Sequence, residues 1–324
     1  MIRSIKVNEF GGPEVMRLIT ETIAEPGPGQ VRVAHSAIGV NFIDTYHRSG
    51  LYPLQFPAGL GLEAAGTIAA VGDGVTLLQP GDRVAYATTP PGAYTSERIV
   101  AADRVLKLPD SIDETTAAAS MLKGFTAWYL LFKSYPVQRG ETILIYAAAG
   151  GVGLIASQWA QSLGVRVIGV VSTDAKAELA RNNGCAEIVM ADAPDFVGQV
   201  RELTDGKGVA VAYDSVGKDT FIQSLDCLRR HGTMVTYGNA SGPVEPFSPL
   251  ELAARGSLYV TRPVLFDFIA DAKGLQEARD ALFAALDAGA VTISVNHEYA
   301  LEDAAEAHID LEARRTSGSI VLRP

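Results

Sequence analysis

Residues 147–153 read AAAGGVG, and Ala148, Gly150 and Gly153 take the spacing of a phosphate-binding glycine fingerprint. The chemistry this permits is anion capture by backbone. Gly150 and Gly151 let the chain come close to a pyrophosphate, and Gly153 lets a helix pack tightly on the preceding strand. A helix N-terminus then offers unpaired N–H groups and the positive end of its dipole. A flexible loop is the alternative reading of the glycines alone. The flanks favour the binding unit. Thr142–Tyr146 is a short apolar, β-rich run, residues 153–163 have a helical period, and Gly164 stands where a stop is expected.

Two further groups bear on the ligand. The strand predicted at Arg166–Val171 is followed by Ser172 and Thr173, with Lys176 one turn later. An Asp or Glu at that strand end would hold ribose hydroxyls and repel a 2′-phosphate. No acid occupies it, and a hydroxyl with a lysine would accept a phosphate, which favours NADPH over NADH. Asp174 counts against this, and an ordinary surface lysine is the alternative for Lys176. Residues 39–52, GVNFIDTYHRSGLY, place Asn41, Asp44, Tyr46, His47 and Tyr52 close together. His47 and Arg48 read as part of a solvated loop. Asn41 and Tyr46 are open to either a structural or a functional reading.

The elements that must position these groups fall into two patterns. Residues 1–122 show short β-rich runs between Gly- and Pro-rich turns, with strands predicted at 31–38, 66–71, 83–87 and 93–100. This is an all-β, barrel-like domain. A helix is predicted over 111–119, with Ser111 and Glu114 as a capping box. Residues 123–262 alternate apolar strands and amphipathic helices, which means a doubly wound parallel sheet covered on both faces. Residues 263–324 return to mixed character and complete the first domain. The fold class is therefore α/β, with a parallel-sheet domain inserted into a β domain.

The chain has 324 residues and a net charge of −10, which argues against a nucleic-acid or anionic-membrane partner. No apolar run is long enough to span a bilayer, and the first residues read as an exposed strand and turn rather than a leader. Only Cys185 and Cys227 occur, far apart, so no disulfide framework or cysteine zinc cluster is expected, and a cytoplasmic setting is favoured.

Several longer segments carry a resemblance: VNFIDTYHRSGLYP at 40–53, GLGLEAAG at 59–66, PGDRVAY at 80–86, AASMLKGFTAWYLL at 118–131, YDSVG at 213–217, YGNASG at 237–242 and GSLYVTRP at 256–263. Together with the glycine loop they make the chain resemble, over its whole length, the NADPH-dependent quinone oxidoreductases. These are zeta-crystallin-like members of the zinc-free branch of the medium-chain dehydrogenases/reductases. The resemblance implies a GroES-like β-barrel catalytic domain, an inserted Rossmann domain, a cofactor cleft between them, and a homodimer. In the zinc-dependent branch a Cys and a His stand where this chain has Asn41 and Leu62. Glu63 alone cannot hold a metal, so no metal site is expected and Glu63 takes a structural role. His35, His231, His297 and His308 read as surface or supporting residues.

Carried over by position, the resemblance implies cofactor contacts from Asn41 and Tyr46 near the nicotinamide, and from Lys123 and Thr126. Gly150, Gly151, Val152 and Gly153 take the pyrophosphate, and Ser172, Thr173 and Lys176 the 2′-phosphate. Gly217, Tyr237, Gly238, Asn239 and Ser241 line the cleft, and Val264 covers the nicotinamide. Ala191 stands where close relatives carry a Tyr, which implies looser cofactor discrimination. The implied reaction is hydride delivery from NADPH to a quinone, with Asn41 and Tyr46 donating hydrogen bonds to the charge that builds on oxygen and Tyr52 in reserve. The alternatives are an NADPH-dependent enone or 2-alkenal reductase and a cofactor-binding non-enzyme of the crystallin or RNA-binding kind.

Overall fold

The computed structural model describes residues 1–324. The chain divides into two compact units, residues 124–292 and residues 1–123 with 293–324. No helix is long and apolar enough to cross a membrane.

The inserted unit holds a six-stranded parallel sheet in the order Cys185–Met190, Arg166–Val171, Thr142–Tyr146, Val209–Asp214, Leu228–Thr236 and Tyr259–Thr261. Val209–Asp214 is buried at every residue, as a strand covered on both faces must be. Chain order reverses between Thr142–Tyr146 and Val209–Asp214. In open α/β sheets the ligand crevice lies at such a switch point, beyond the C-terminal strand ends. The core gathers Leu144, Ile168, Val170, Ala212, Phe221 and Met234.

Several helices differ from expectation. The sequence pattern predicts a helix over 124–133; it begins earlier, at Met121, and after Tyr129 passes into a π-turn, Leu130–Ser134. The Tyr213 hydroxyl donates to the Leu130 carbonyl at 3.0 Å, satisfying an acceptor of that turn. Helix Ala272–Asp287 belongs to this unit, so the chain rejoins the β unit at Ile293 rather than near Pro263. The physical reason is packing. A methyl group on Gly124 would come within 2.6 Å of Leu282, so the two helices meet backbone to side chain.

The β unit is built on a seven-stranded sheet. Its path runs Val295–Ala300, Ser319–Arg323, Gln30–Val40, Glu63–Val71, Arg83–Ala87, Leu106–Lys107, and Glu97–Ala101 also pairs with Gln30–Val40. A separate antiparallel sheet pairs Arg17–Glu21, Ile2–Val7 and Ala58–Gly59 in that order. Residues 93–96, predicted as strand, are not: Tyr94 N–H donates to Leu60 O at 2.9 Å and only a single bridge, Ser4 to Thr95, forms.

Three further corrections concern the β unit. The predicted loop at 39–52 contains a helix, Phe42–Ser49, opened by Asn41 and closed by left-handed Gly50. Its His47 and Arg48 are buried, not solvated. Their partners explain this: the His47 ring meets Tyr52, and Arg48 pairs with Glu312 at 2.7 Å. The helix predicted from Ser111 is Glu114–Ala118, and its cap is Asp113, which accepts from Thr116 N–H at 2.8 Å. Glu114 turns instead to Arg83, 2.8 Å away. Finally, His35 and His308 are interior rather than at the surface; His297 is half-buried, and His231, in the inserted unit, is exposed as expected. Burial lowers the pKa of His35 to about 4.

Candidate functional site

In the inserted unit, strand Thr142–Tyr146 runs into the left-handed Ala147, and helix Gly151–Ser162 starts two residues before the predicted position, with Gly150 as its extended N-cap. A methyl on Gly153 would stand 2.3 Å from the Ala147 carbonyl oxygen. Only glycine lets the helix approach the turn this closely. No side chain caps the helix, and its first turn holds no acid. The N–H groups of Gly151, Val152 and Gly153 therefore lack both an i−4 carbonyl and a capping oxygen. This donor set fits a pyrophosphate.

The loop after Val209–Asp214 stands at the same sheet edge. Asp214 is fully buried; its Oδ1 accepts from Val216 N–H at 2.7 Å and Gly217 N–H at 3.1 Å. Its Oδ2 accepts from the hydroxyls of Thr220 at 2.6 Å and Ser224 at 3.2 Å. Burial pushes this carboxyl above its usual range, against the pull of those donors. Gly217 has φ +94°, and a methyl there would meet Gly242 O at 2.6 Å. A methyl on Gly238 would meet Ser215 O at 2.4 Å. The Ser241 hydroxyl donates to Val216 O at 2.9 Å and accepts from Asp219 N–H at 3.1 Å. Tyr237 N–H donates to Asp214 O at 2.8 Å. Gly217, Tyr237, Gly238 and Ser241 are thus joined in one pair of loops, with Asn239 accepting from Gly242 N–H within it.

At the next strand end, Ser172 and Thr173 are exposed and stand directly after Val171, with Asp174 following in the first turn of the next helix. Thr173 caps helix Asp174–Arg181, its hydroxyl accepting from Lys176 N–H at 3.3 Å. Ala191 N–H donates to Val171 O at 2.8 Å, which puts Ala191 beside this corner. Val264 opens the four-residue helix Leu265–Phe268 and is half exposed, and Thr126 lies buried within helix Met121–Tyr129.

In the β unit, one carboxylate organises the candidate residues. Glu63 has no exposed surface. Its Oε1 accepts from Asn41 Nδ2 at 2.7 Å and Lys123 Nζ at 3.0 Å, and its Oε2 accepts from Leu122 N–H at 2.6 Å. Asn41 and Lys123 are therefore held by the same side chain. Asn41 N–H donates to Asp44 Oδ2 at 2.9 Å. Burial, first among several causes, raises the Asp44 carboxyl to about 7. Tyr46 is buried edge-on against Tyr52, ring centres 5.3 Å apart, and lies 5.5 Å from Phe42. No group of three or more His, Cys, Asp and Glu side chains stands together as a metal site.

Sequence reasoning gives Asp44 no role, although Asn-x-x-Asp is a capping signal. The structural role expected of Glu63 holds, but its partners are not legible; a lone carboxylate inside the apolar run LEAA is the available sign that it must be multiply bonded.

Residues 151–270 match a family model described as zinc-binding dehydrogenase, and residues 27–110 one described as alcohol dehydrogenase GroES-like domain. The chain is 51% identical to a quinone oxidoreductase of Pseudomonas aeruginosa, across 100% of both chains. It is 45% identical to a 2-haloacrylate reductase of Burkholderia, across 100% of this chain and 99% of that one. Among solved structures it is similar to Escherichia coli quinone oxidoreductase complexed with NADPH. The TM-score is 0.97 at 46% identity, over 99% of this chain and 100% of that one.

Proposed function

We infer that this chain, which belongs to the quinone oxidoreductase family of medium-chain dehydrogenases/reductases, reduces quinones with NADPH by hydride transfer and without zinc. The observation that carries this reading is 51% identity, over the full length of both chains, to a quinone oxidoreductase. NADPH, when bound, supplies the hydride. The N–H groups of Gly151, Val152 and Gly153 hold the pyrophosphate, with Gly150 giving the backbone room. Ser172, Thr173 and Lys176 hold the 2′-phosphate. Gly217, Tyr237, Gly238, Asn239 and Ser241 contact the cofactor further along the sheet edge, Val264 covers its nicotinamide, and Lys123 and Thr126 supply further cofactor contacts.

Asn41 and Tyr46 donate hydrogen bonds to the substrate oxygen as negative charge develops there. Glu63 takes one amide hydrogen of Asn41, which orients the other. Tyr52 braces Tyr46. A hydroquinone anion is weakly basic, so solvent supplies the proton. Metal polarisation has no ligand set to work with: both Glu63 oxygens are already bonded, and Asn41 and Leu62 offer neither thiolate nor imidazole.

The protein works in the cytoplasm as a homodimer. Strand Tyr259–Thr261 supports this: it is the sheet's edge, pairs on one side only, and carries an exposed Tyr259. The acidic net charge speaks against RNA. A second reading, reduction of activated alkenes, is supported by the Burkholderia relative's name. The experiment is NADPH oxidation against a panel of quinones and enones, with NADH in parallel. Quinone-dependent oxidation with NADPH preferred is expected. Turnover confined to enones favours the second reading, and no turnover with either rejects both.

A further inference from the structure

Beneath the helix Phe42–Ser49 runs a chain of buried polar groups that ends on Asp44. Asp44 and Arg48 stand four residues apart on that helix, and His308 and Glu312 four apart on helix Ala304–Glu312, so each pair shares a face. Arg48 Nη2 donates to both Glu312 oxygens at 2.7 and 2.9 Å, and its Nε donates to Gly11 O at 3.1 Å. Its Nη1 lies 3.1 Å from His308 Nδ1. His308 Nε2 lies 3.0 Å from the Tyr94 hydroxyl, and that hydroxyl lies 2.9 Å from Asp44 Oδ2. Arg48, Tyr94, Asp44 and His308 are all buried.

The direction of every hydrogen follows. A guanidinium can only donate, so His308 Nδ1 accepts and the neutral ring carries its proton on Nε2. Burial, with Arg48 beside it, lowers His308 to about 3, in keeping with a neutral ring. Nε2–H donates to the Tyr94 oxygen, which leaves the one Tyr94 hydrogen for Asp44. Asn41 N–H points at the same Asp44 oxygen, and Asp44 Oδ1 has no partner. Because arginine does not release a proton, the chain cannot conduct one inward from Glu312. It is a clamp of fixed polarity.

We propose that Tyr94 and His308 are positioning residues of the reduction site, holding Asp44 and through it the helix start that carries Asn41 and Tyr46. The proposal rests on the roles given to Asn41 and Tyr46 above. Its force is geometric: Asp44 is tied to Asn41 by one N–H, and the Tyr94 hydroxyl keeps that oxygen in place.

The test compares Tyr94→Phe, His308→Gln, His308→Leu and, as reference, Tyr46→Phe, with p-benzoquinone as substrate. Gln offers an acceptor oxygen and a donor nitrogen in place of the two ring nitrogens; Leu offers neither. Tyr94→Phe and His308→Leu are expected to lower kcat by roughly tenfold, with the NADPH dissociation constant within about twofold of wild type, as a displaced reacting group would do. His308→Gln is expected to recover most of the loss. Nitrogen NMR of the ligand-free protein is expected to show His308 protonated at Nε2 only. Equal losses in His308→Gln and His308→Leu, or a proton on Nδ1, would overturn the clamp. So would wild-type kcat in Tyr94→Phe while Tyr46→Phe is slowed. Wild-type turnover in Tyr46→Phe with a slowed Tyr94→Phe would instead overturn the role given to Tyr46.

Discussion

Replacing Glu63 by Gln probes the hub of the β unit. The change keeps the shape and removes the charge. Lys123 then remains in place with its side chain 6% exposed and no counter-charge, where Glu63 had stood 3.0 Å away. Breaking a buried pair from one side costs about 3–5 kcal/mol, because the surviving charge is left uncompensated. The new amide also presents N–H groups at one of the two oxygen positions, so either Leu122 N–H or the Asn41 amide loses its acceptor, and a donor left unsatisfied costs about 1–3 kcal/mol. These costs overlap, so about 4 kcal/mol is expected in total. At roughly 2–4 °C per kcal/mol for units of this size, Tm falls by about 8–16 °C in differential scanning calorimetry. Glu63→Gln with Lys123→Met removes the stranded charge and is expected to regain at least half of the loss, since contacting partners are not additive. A single-variant cost below about 1 kcal/mol, or an additive double variant, would refute the account of Glu63 as a charge-bearing hub.

The pH dependence of stability gives a second prediction. Asp44, at about 7 in the fold, keeps a proton that the unfolded chain loses near the ordinary 3.8, so between those values its contribution to stability falls as pH rises. His35, His47 and His308, at about 4, 4 and 3 in the fold, act oppositely: below the ordinary 6.5 the unfolded chain takes up protons the fold refuses, so stability rises with pH. Asp44→Asn removes the opposing slope, on the order of 1.4 kcal/mol per pH unit, so denaturant midpoints across the mildly acid range should climb more steeply than in wild type; parallel curves would contradict the buried, protonated Asp44. In the glycine turn, Gly153→Ala must displace the Ala147 carbonyl and is expected to lose about 1–3 kcal/mol of stability along with NADPH affinity. Gly150→Ala meets that oxygen only at 3.2 Å, so its thermal midpoint should stay near wild type while NADPH titration reports the weaker grip. Lys176→Ala is expected to raise the KM for NADPH roughly tenfold and leave that for NADH nearly unchanged; equal effects would remove the 2′-phosphate role. Tyr46→Phe should lower kcat/KM several-fold, roughly 1 kcal/mol of lost stabilisation, and complete loss in steady-state assays would make the phenol an obligatory acid instead.

Local composition was sufficient for most of the inserted unit. Thr142–Tyr146 and Arg166–Val171 are read from the chain with the bounds the structure has, because strands covered on both faces are largely apolar and end at turn residues. The glycine turn was equally plain, since its residue types answer a backbone requirement within seven positions. The helix at Phe42–Ser49 was written more faintly. Its residues are mostly polar, and only Asn41 with Asp44 and the closing Gly50 announced it. What no local pattern could report is where its polar side chains go. Arg48 finds Glu312 264 positions away, Tyr94 meets His308 across 214, and Asn41 meets Glu63 across 22. Buried charge is tolerated only where a partner arrives to meet it, and that arrival is decided by how distant strands and helices pack. The sequence alone therefore determined the glycine turn and its strand–turn–helix setting, and its resemblance nominated Asn41 and Tyr46, while only the tertiary structure decided that Glu63 and Asp44 bond to Asn41 and that Tyr94 and His308 stand behind Asp44.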